Sequence, residues 1–153
     1  METIRHSELN CPPLALQYAN YRETFGKTLI EHEVIRSKFS EMGRQIEAHW
    51  AWLEQLAYHI STKGPQAWSS PEVGSRLALG KVMAGQNLEK AVREAQQIFG
   101  GAGYQRGKGV GRVVEQISRD FRMLVVGGGS EEIISDLAVR MEVENCKRKG
   151  ARL

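Results

Sequence analysis

The residues Gln97-Ile98-Phe99-Gly100-Gly101-Ala102-Gly103-Tyr104 carry an apolar helical pattern straight into three glycines within four residues. Further along, Gly127-Gly128-Gly129-Ser130-Glu131-Glu132-Ile133 runs the other way, glycines first and a helix start after them. Two glycine-rich turns therefore bracket one short helix. Glycine reaches φ > 0 without strain and lets a backbone approach a ligand closely. These turns are the candidate cofactor surface, with two loops and a helix cap as the plain alternative.

Upstream of Gln97, Ser70-Pro71-Glu72 offers a hydroxyl cap, a proline at the first helical position and an acid in the first turn. The helix expected from there to Phe99 has an inner face of Leu77, Gly80, Ala84, Leu88, Ala91/Val92, Ala95 and Ile98/Phe99. Bulky and small residues alternate along it, which lets a neighbouring helix come close. Before it, Val34/Ile35, Phe39, Met42, Ile46, His49/Trp50, Leu53, Leu56/Ala57 and Ile60 recur at three- and four-residue steps and predict a long amphipathic helix ended by Gly64-Pro65. Trp50 and Trp52, two residues apart, cannot both face a core, so one belongs at a rim or interface. Residues Gln66 to Ser69 read as a linker.

A shorter helix is expected from Leu14 to about Phe25, with Tyr18, Tyr21 and Phe25 on one face and Gly26 as its stop. Met1 to Pro13 ends in Pro12-Pro13 and reads as an irregular lead-in. Downstream, Gly107 to Arg112 reads as a flexible connection, Val113 to Arg122 as a short helix and Met123 to Val126 as an apolar bridge. Ser130 then caps a final helix buried through Ile133, Ile134, Leu137, Ala138 and Met141. Strand signals are absent. The expected fold is all-α, an antiparallel up-down helix bundle over 14–142, with a lead-in at 1–13 and a basic tail at 143–153.

At 153 residues and 41% hydrophobic content the chain supports one core and one domain. The formal charge of +3 comes partly from Lys147-Arg148-Lys149 and Arg152, so the remainder is close to neutral and suggests no nucleic-acid partner. No apolar run approaches the roughly 18 residues of a membrane span. Cys11 and Cys146, with no secretory leader, point to a reducing, intracellular setting. The ending Ala151-Arg152-Leu153 is of the same kind as the Ser-Lys-Leu peroxisomal address.

His6, His32, His49 and His59 have no metal-ligand spacing among themselves or with the cysteines. Gly107 to Arg112 lacks the Gly-Lys-Ser/Thr ending of a phosphate loop. The paired carboxylates Glu31/Glu33 and Glu131-Glu132 have the spacing of ordinary helix-start acids.

Arg22-Glu23-Thr24-Phe25-Gly26-Lys27 followed by Glu31-His32, then Gln97 to Tyr104, then Arg119-Asp120, then Gly129-Ser130-Glu131-Glu132-Ile133 form four ordered blocks. Together they resemble the C-terminal helical domain of the acyl-CoA dehydrogenases, most like fungal members. The resemblance implies FAD as cofactor and an assembly of several subunits, each with a helical N-terminal domain and a β-domain besides this one. It implies that Arg22, Glu23 and Thr24 approach the FAD of a neighbouring subunit, the arginine suiting a pyrophosphate as a permanently charged multiple donor. His32 and Glu33 match a His-Gln pair at the same cofactor, with Glu in place of Gln. The loop Gln97, Ile98, Phe99, Gly100 and Gly101 corresponds to one that closes on the adenine-ribose side. Ser130, Glu131 and Glu132 fall at the flavin, and Gly129 at the substrate.

The implied reaction is α,β-dehydrogenation of an acyl-CoA thioester, with a carboxylate removing the α-proton. In many members that base is a glutamate at the position of Gly128. In others it lies on a preceding helix, at a place that falls before Met1. The expectation is a chain inactive alone that lends its half of an FAD site to a homo-oligomer or to a chain supplying the β-domain, and meets acyl-CoA only in a complete assembly. The alternative is a non-catalytic helical interaction module derived from the same family.

Overall fold

One helix, α3 (Pro71–Phe99), touches every other helix of the molecule. The computed structural model describes residues 2–150, with side chains from Cys11 onward. The remaining elements are α1 (Glu2–Tyr21), a hairpin of β1 (Glu23–Thr24) and β2 (Lys27–Thr28), α2 (Glu33–Lys63), α4 (Arg112–Val126) and α5 (Glu131–Arg148), with short 3-10 turns at Leu29–Glu31, Pro65–Ser69 and Gly100–Tyr104. The chain is an all-α bundle. The peroxisome-like ending at 151–153 lies outside the described residues.

Helix α3 starts where its sequence signals place it. Ser70 Oγ accepts from the Val73 amide at 3.3 Å, Pro71 stands at the first turn, and Gly100 follows the last residue. Its buried positions include Ala84, Ala91 and Ala95. These small side chains let neighbours pack at short range. Against them lie Cys11, Ala15 and Ala19 of α1, each fully buried, and Met42 of α2 and Val114 of α4. Three cross-connections set α2 antiparallel to α3: ion pairs Lys38–Glu94 and Lys90–Glu41, and Asn87 Nδ2 donating to the Gln45 carbonyl at 3.3 Å.

Several local expectations change. Residues 2–13 are helical instead of irregular, although Pro12 and Pro13 each remove an internal hydrogen bond. The four-residue spacing of Cys11, Ala15 and Ala19 puts a continuous small face on α3, and this packing outweighs local propensity. The first helix stops at Tyr21 rather than Phe25, because residues 23–28 turn into a hairpin pairing Glu23 with Thr28 and Thr24 with Lys27. Its two turn residues have φ of 52° at Phe25 and 78° at Gly26, the sign that a two-residue hairpin of matching twist requires at both places. Tyr21 and Phe25 consequently face solvent.

Trp50 and Trp52 are both half-buried. Helix α4 runs unbroken through the expected bridge at 123–126. The basic tail is helical as far as Arg148. Ile133, expected inside, is 64% exposed, while Ala138 is buried.

The connection at 105–111 is anchored at its end. A Cβ at Gly111 would fall 2.3 Å from the Ala102 carbonyl oxygen, so only glycine lets α4 start against the 100–104 turn. Gly111→Ala should cost about 2 kcal/mol, lowering the thermal midpoint by roughly 6 °C, measured by circular dichroism.

At the other end of the bundle, Glu72 meets Lys63 of α2 at 4.0 Å, Arg76 at 3.1 Å and Lys149, just past α5, at 3.4 Å. Burial alone raises its carboxyl, but the hydrogen bond from Lys149 and the charges of Lys149, Arg76 and Lys63 together hold it below the usual carboxylate range. A group depressed in the folded state stabilises above its unfolded pKa of about 4.3 and loses that contribution as pH falls through the folded value. Glu72→Gln should therefore lower stability at pH 7 by about 1 kcal/mol, with the difference from the parent chain vanishing in acid-titrated melts.

Candidate functional site

The end of α1, from which the hairpin follows, packs on the end of α3, from which the first glycine turn follows. Tyr18 stacks on Phe99, with ring centroids 4.6 Å apart at 28°, so the last turn of α1 lies on the last turn of α3. Arg22 follows at the surface, its amide bonded to the Tyr18 carbonyl and its carbonyl accepting from Leu29 at 2.8 Å. His32 Nε2 stands 3.3 Å from both the hydroxyl and the carbonyl oxygen of Thr24. A carbonyl only accepts, so this geometry makes Nε2 the donor. Phe25 lies edge-on to the His32 ring at 6.4 Å. Glu23 and Glu33 are exposed.

Two side chains not singled out from sequence for this task hold the segment in place. The Glu31 carboxylate accepts from the Thr28 amide at 2.7 Å and the Thr28 hydroxyl at 2.8 Å, and these bonds, the hydroxyl's first, hold it below its ordinary pKa. Arg36 donates to the carbonyls of Ile30 and Glu31 at 3.1 and 2.7 Å. The Thr-x-x-Glu spacing of Thr28 and Glu31 is a capping-box signature and was the available signal.

Within the first glycine turn, Gln97 is exposed, whereas the side chains of Ile98 and Phe99 are in the core. Those two can meet a ligand only through their backbone. Gly101 is exposed, has no positive φ, and a Cβ there would meet nothing within 4 Å. Neither packing nor conformation within this chain calls for glycine at that place.

The second turn lies elsewhere on α3. Gly128 and Gly129 have φ of 75° and 117°, and a Cβ on Gly129 would strike Ile134 at 2.7 Å. Gly128 is open to solvent, so a glutamate there would find room but would pay the left-handed strain of about 1–2 kcal/mol. Ser130 occupies the N-cap position of α5 without a side-chain cap bond. The Glu132 carboxyl is held below its ordinary pKa by its own amide first and by the Ser130 hydroxyl next, with Arg122 adding to them. Glu131 accepts from Gln86 of α3 at 3.5 Å and lies beside Gly85. From Gly85 to Phe99 the helix rises about 21 Å. The candidate residues thus form two separate groups.

Arg119 of the Arg119-Asp120 block is taken up inside α4. Its Nε donates to Glu115 at 2.7 Å and its Nη2 to Gln116. Glu115 is buried, and the i,i+4 spacing of Glu115 and Arg119 was the legible signal. The Cys11 thiol is pushed up to about 12 by burial, which leaves it unreactive.

Residues 9–141 match the family model for the acyl-CoA dehydrogenase C-terminal domain. The chain belongs to the acyl-CoA dehydrogenase family. It is 45% identical over 141 residues to an acyl-CoA dehydrogenase of Alternaria alternata, covering 90% of this chain and 32% of that protein. A solved structure of a probable acyl-CoA dehydrogenase from Mycobacterium abscessus superposes with a TM-score of 0.77 at 29% identity, over 90% of this chain and 34% of the other. The FAD complex of PigA shares the fold at a TM-score of 0.76 and 16% identity, over 93% of this chain and 34% of that one. The chain spans about a third of the length of the curated relatives it matches. Members of the acyl-CoA dehydrogenase family are FAD-dependent. Among the described residues no helix is long and apolar enough to cross a membrane.

Because Gly101 has room for a methyl group, Gly101→Ala should leave the melting temperature unchanged or raise it, through an entropic gain of about 0.4–1 kcal/mol. A melting curve displaced downward by several degrees would show that the fold itself needs this glycine.

Proposed function

We propose that this chain is the FAD-contacting and oligomer-forming domain of an acyl-CoA dehydrogenase-like flavoprotein and that it does not dehydrogenate acyl-CoA by itself. The observation that carries this reading is the separation of the two groups of candidate residues, each with exposed members, Arg22, Gly100 and Gly101 in one and Gly128 and Glu132 in the other, about 21 Å apart along α3. Each offers part of a cofactor surface, to be completed by a second copy or by a chain supplying a β-domain.

At the hairpin end, Arg22 offers an exposed, permanently charged guanidinium to a pyrophosphate. Thr24 and His32 fix one another beside it, and Gly100 and Gly101 offer bare backbone to an adenosine moiety. Glu33, an acceptor only, replaces the amide of other members and suits a ribose hydroxyl better than a carbonyl. At the second turn, beside the middle of α3, Ser130, Glu131 and Glu132 begin α5 where the flavin would lie, with Gly129 on the substrate side.

Bound FAD supplies the hydride acceptor for oxidation of the acyl chain. This chain's part is to hold and orient that group. Gly128, where many members carry the base, brings no proton acceptor to the site. That residue also favours a second reading, a helical module that keeps association and has lost chemistry. The ending Ala151-Arg152-Leu153 fits peroxisomal delivery in either case.

Purified protein supplied with acyl-CoA thioesters of several chain lengths, FAD and an artificial electron acceptor should give no steady reduction. Sustained turnover would overturn the proposal of inactivity. Recovery of a yellow complex with a β-domain chain supports the flavoprotein role, and a colourless homo-oligomer that ignores FAD supports the non-catalytic module.

A further inference from the structure

We infer that Lys81 is the positioning residue for the second glycine turn. Its ammonium donates to two backbone carbonyls, Val125 at 2.5 Å and Gly129 at 2.6 Å. Val125 lies in the last turn of α4, where carbonyls have no helical amide to receive them. A cation there also meets the negative end of the helix dipole. Gly129 immediately precedes Ser130, the N-cap of α5. One half-buried side chain on α3 thus ties the end of one helix to the start of the next.

The turn needs such a tie. Gly127-Gly128-Gly129 has the largest conformational freedom three residues can have, and ordering it costs correspondingly more entropy. Its internal amide bonds are few: Gly127 to Met123 at 2.9 Å and Gly129 to Val126 at 3.1 Å. One turn along α3 from Lys81, Gly85 leaves the space in which the Val125 side chain seats, 3.4 Å from where a Cβ would be. The next residue, Gln86, reaches Glu131. Three successive features of α3 therefore hold the two sides of this turn, and Lys81 is the one that grips its backbone. Its place in a cofactor site rests on the function proposed above. Its grip on the turn does not.

The test is amide hydrogen exchange on the full chain. Lys81→Met, which keeps the stem and removes the charge, should speed exchange at Gly127, Gly129 and Ile134 at least tenfold while leaving α1 and α2 within twofold. Lys81→Arg should restore part of the protection. Unchanged exchange at the turn, or equal acceleration throughout the chain, would overturn the inference. Should Lys81→Met fail to fold, the ammonium resonance of Lys81 in the parent chain decides: held by two carbonyls it is protected from water exchange, and an unprotected signal refutes the tie. FAD titration is read separately. Loss of binding in Lys81→Met, against a parent chain that binds, extends the role to the cofactor. If binding persists in Lys81→Met unchanged, the extension to the cofactor is refuted. A parent chain that does not bind FAD counts against the flavin reading and leaves the exchange result standing.

Discussion

Everything in this bundle depends on how near other helices can come to α3. Its small residues Ala84, Gly85, Ala91 and Ala95 remove side-chain bulk from the contact faces. Backbones then approach closely enough for Cys11, Ala15 and Ala19 of α1 to be fully enclosed. Dispersion between closely packed atoms replaces the large hydrophobic side chains a looser bundle would need. The same nearness lets Lys81 reach main-chain carbonyls on α4 and beyond.

The long helices were plain in the sequence because each buries a sustained stripe and carries proper ends: Ser70-Pro71-Glu72 before α3, Gly64 after α2. The α1 boundary was hidden because two prolines speak for local breakage, while the burial that overrides them is visible only once α3 lies alongside. The hairpin was hidden for a related reason. Its turn uses Phe25 in a conformation that glycine or asparagine would ordinarily announce.

For the candidate site, the residues were legible as types and the grouping was not. Sequence order places Gln97 to Gly101 closer to Gly127 than to Arg22. The fold reverses this, since Tyr18 stacks on Phe99 and brings α1 to the first glycine turn, while the second turn is carried back to the middle of α3. Spacing alone carries no record of which end of a helix a later segment returns to. The Arg119-Asp120 block shows the complementary case. It marks the family, yet in this chain its arginine serves Glu115 and the integrity of α4.

The ion pairs between α2 and α3 also constrain sliding. Lys38 faces Glu94 and Glu41 faces Lys90. A slip of one helical turn one way would draw Lys38 toward Lys90, and a slip the other way would draw Glu41 toward Glu94. Like charges would then confront one another across the seam, at a cost comparable to what the native pairs contribute. The alternation behaves as a vernier with a single aligned mark. Since the hairpin joins the start of α2 through the single Leu29–Glu31 turn, that mark also sets the height at which Arg22 and His32 stand relative to Gly100.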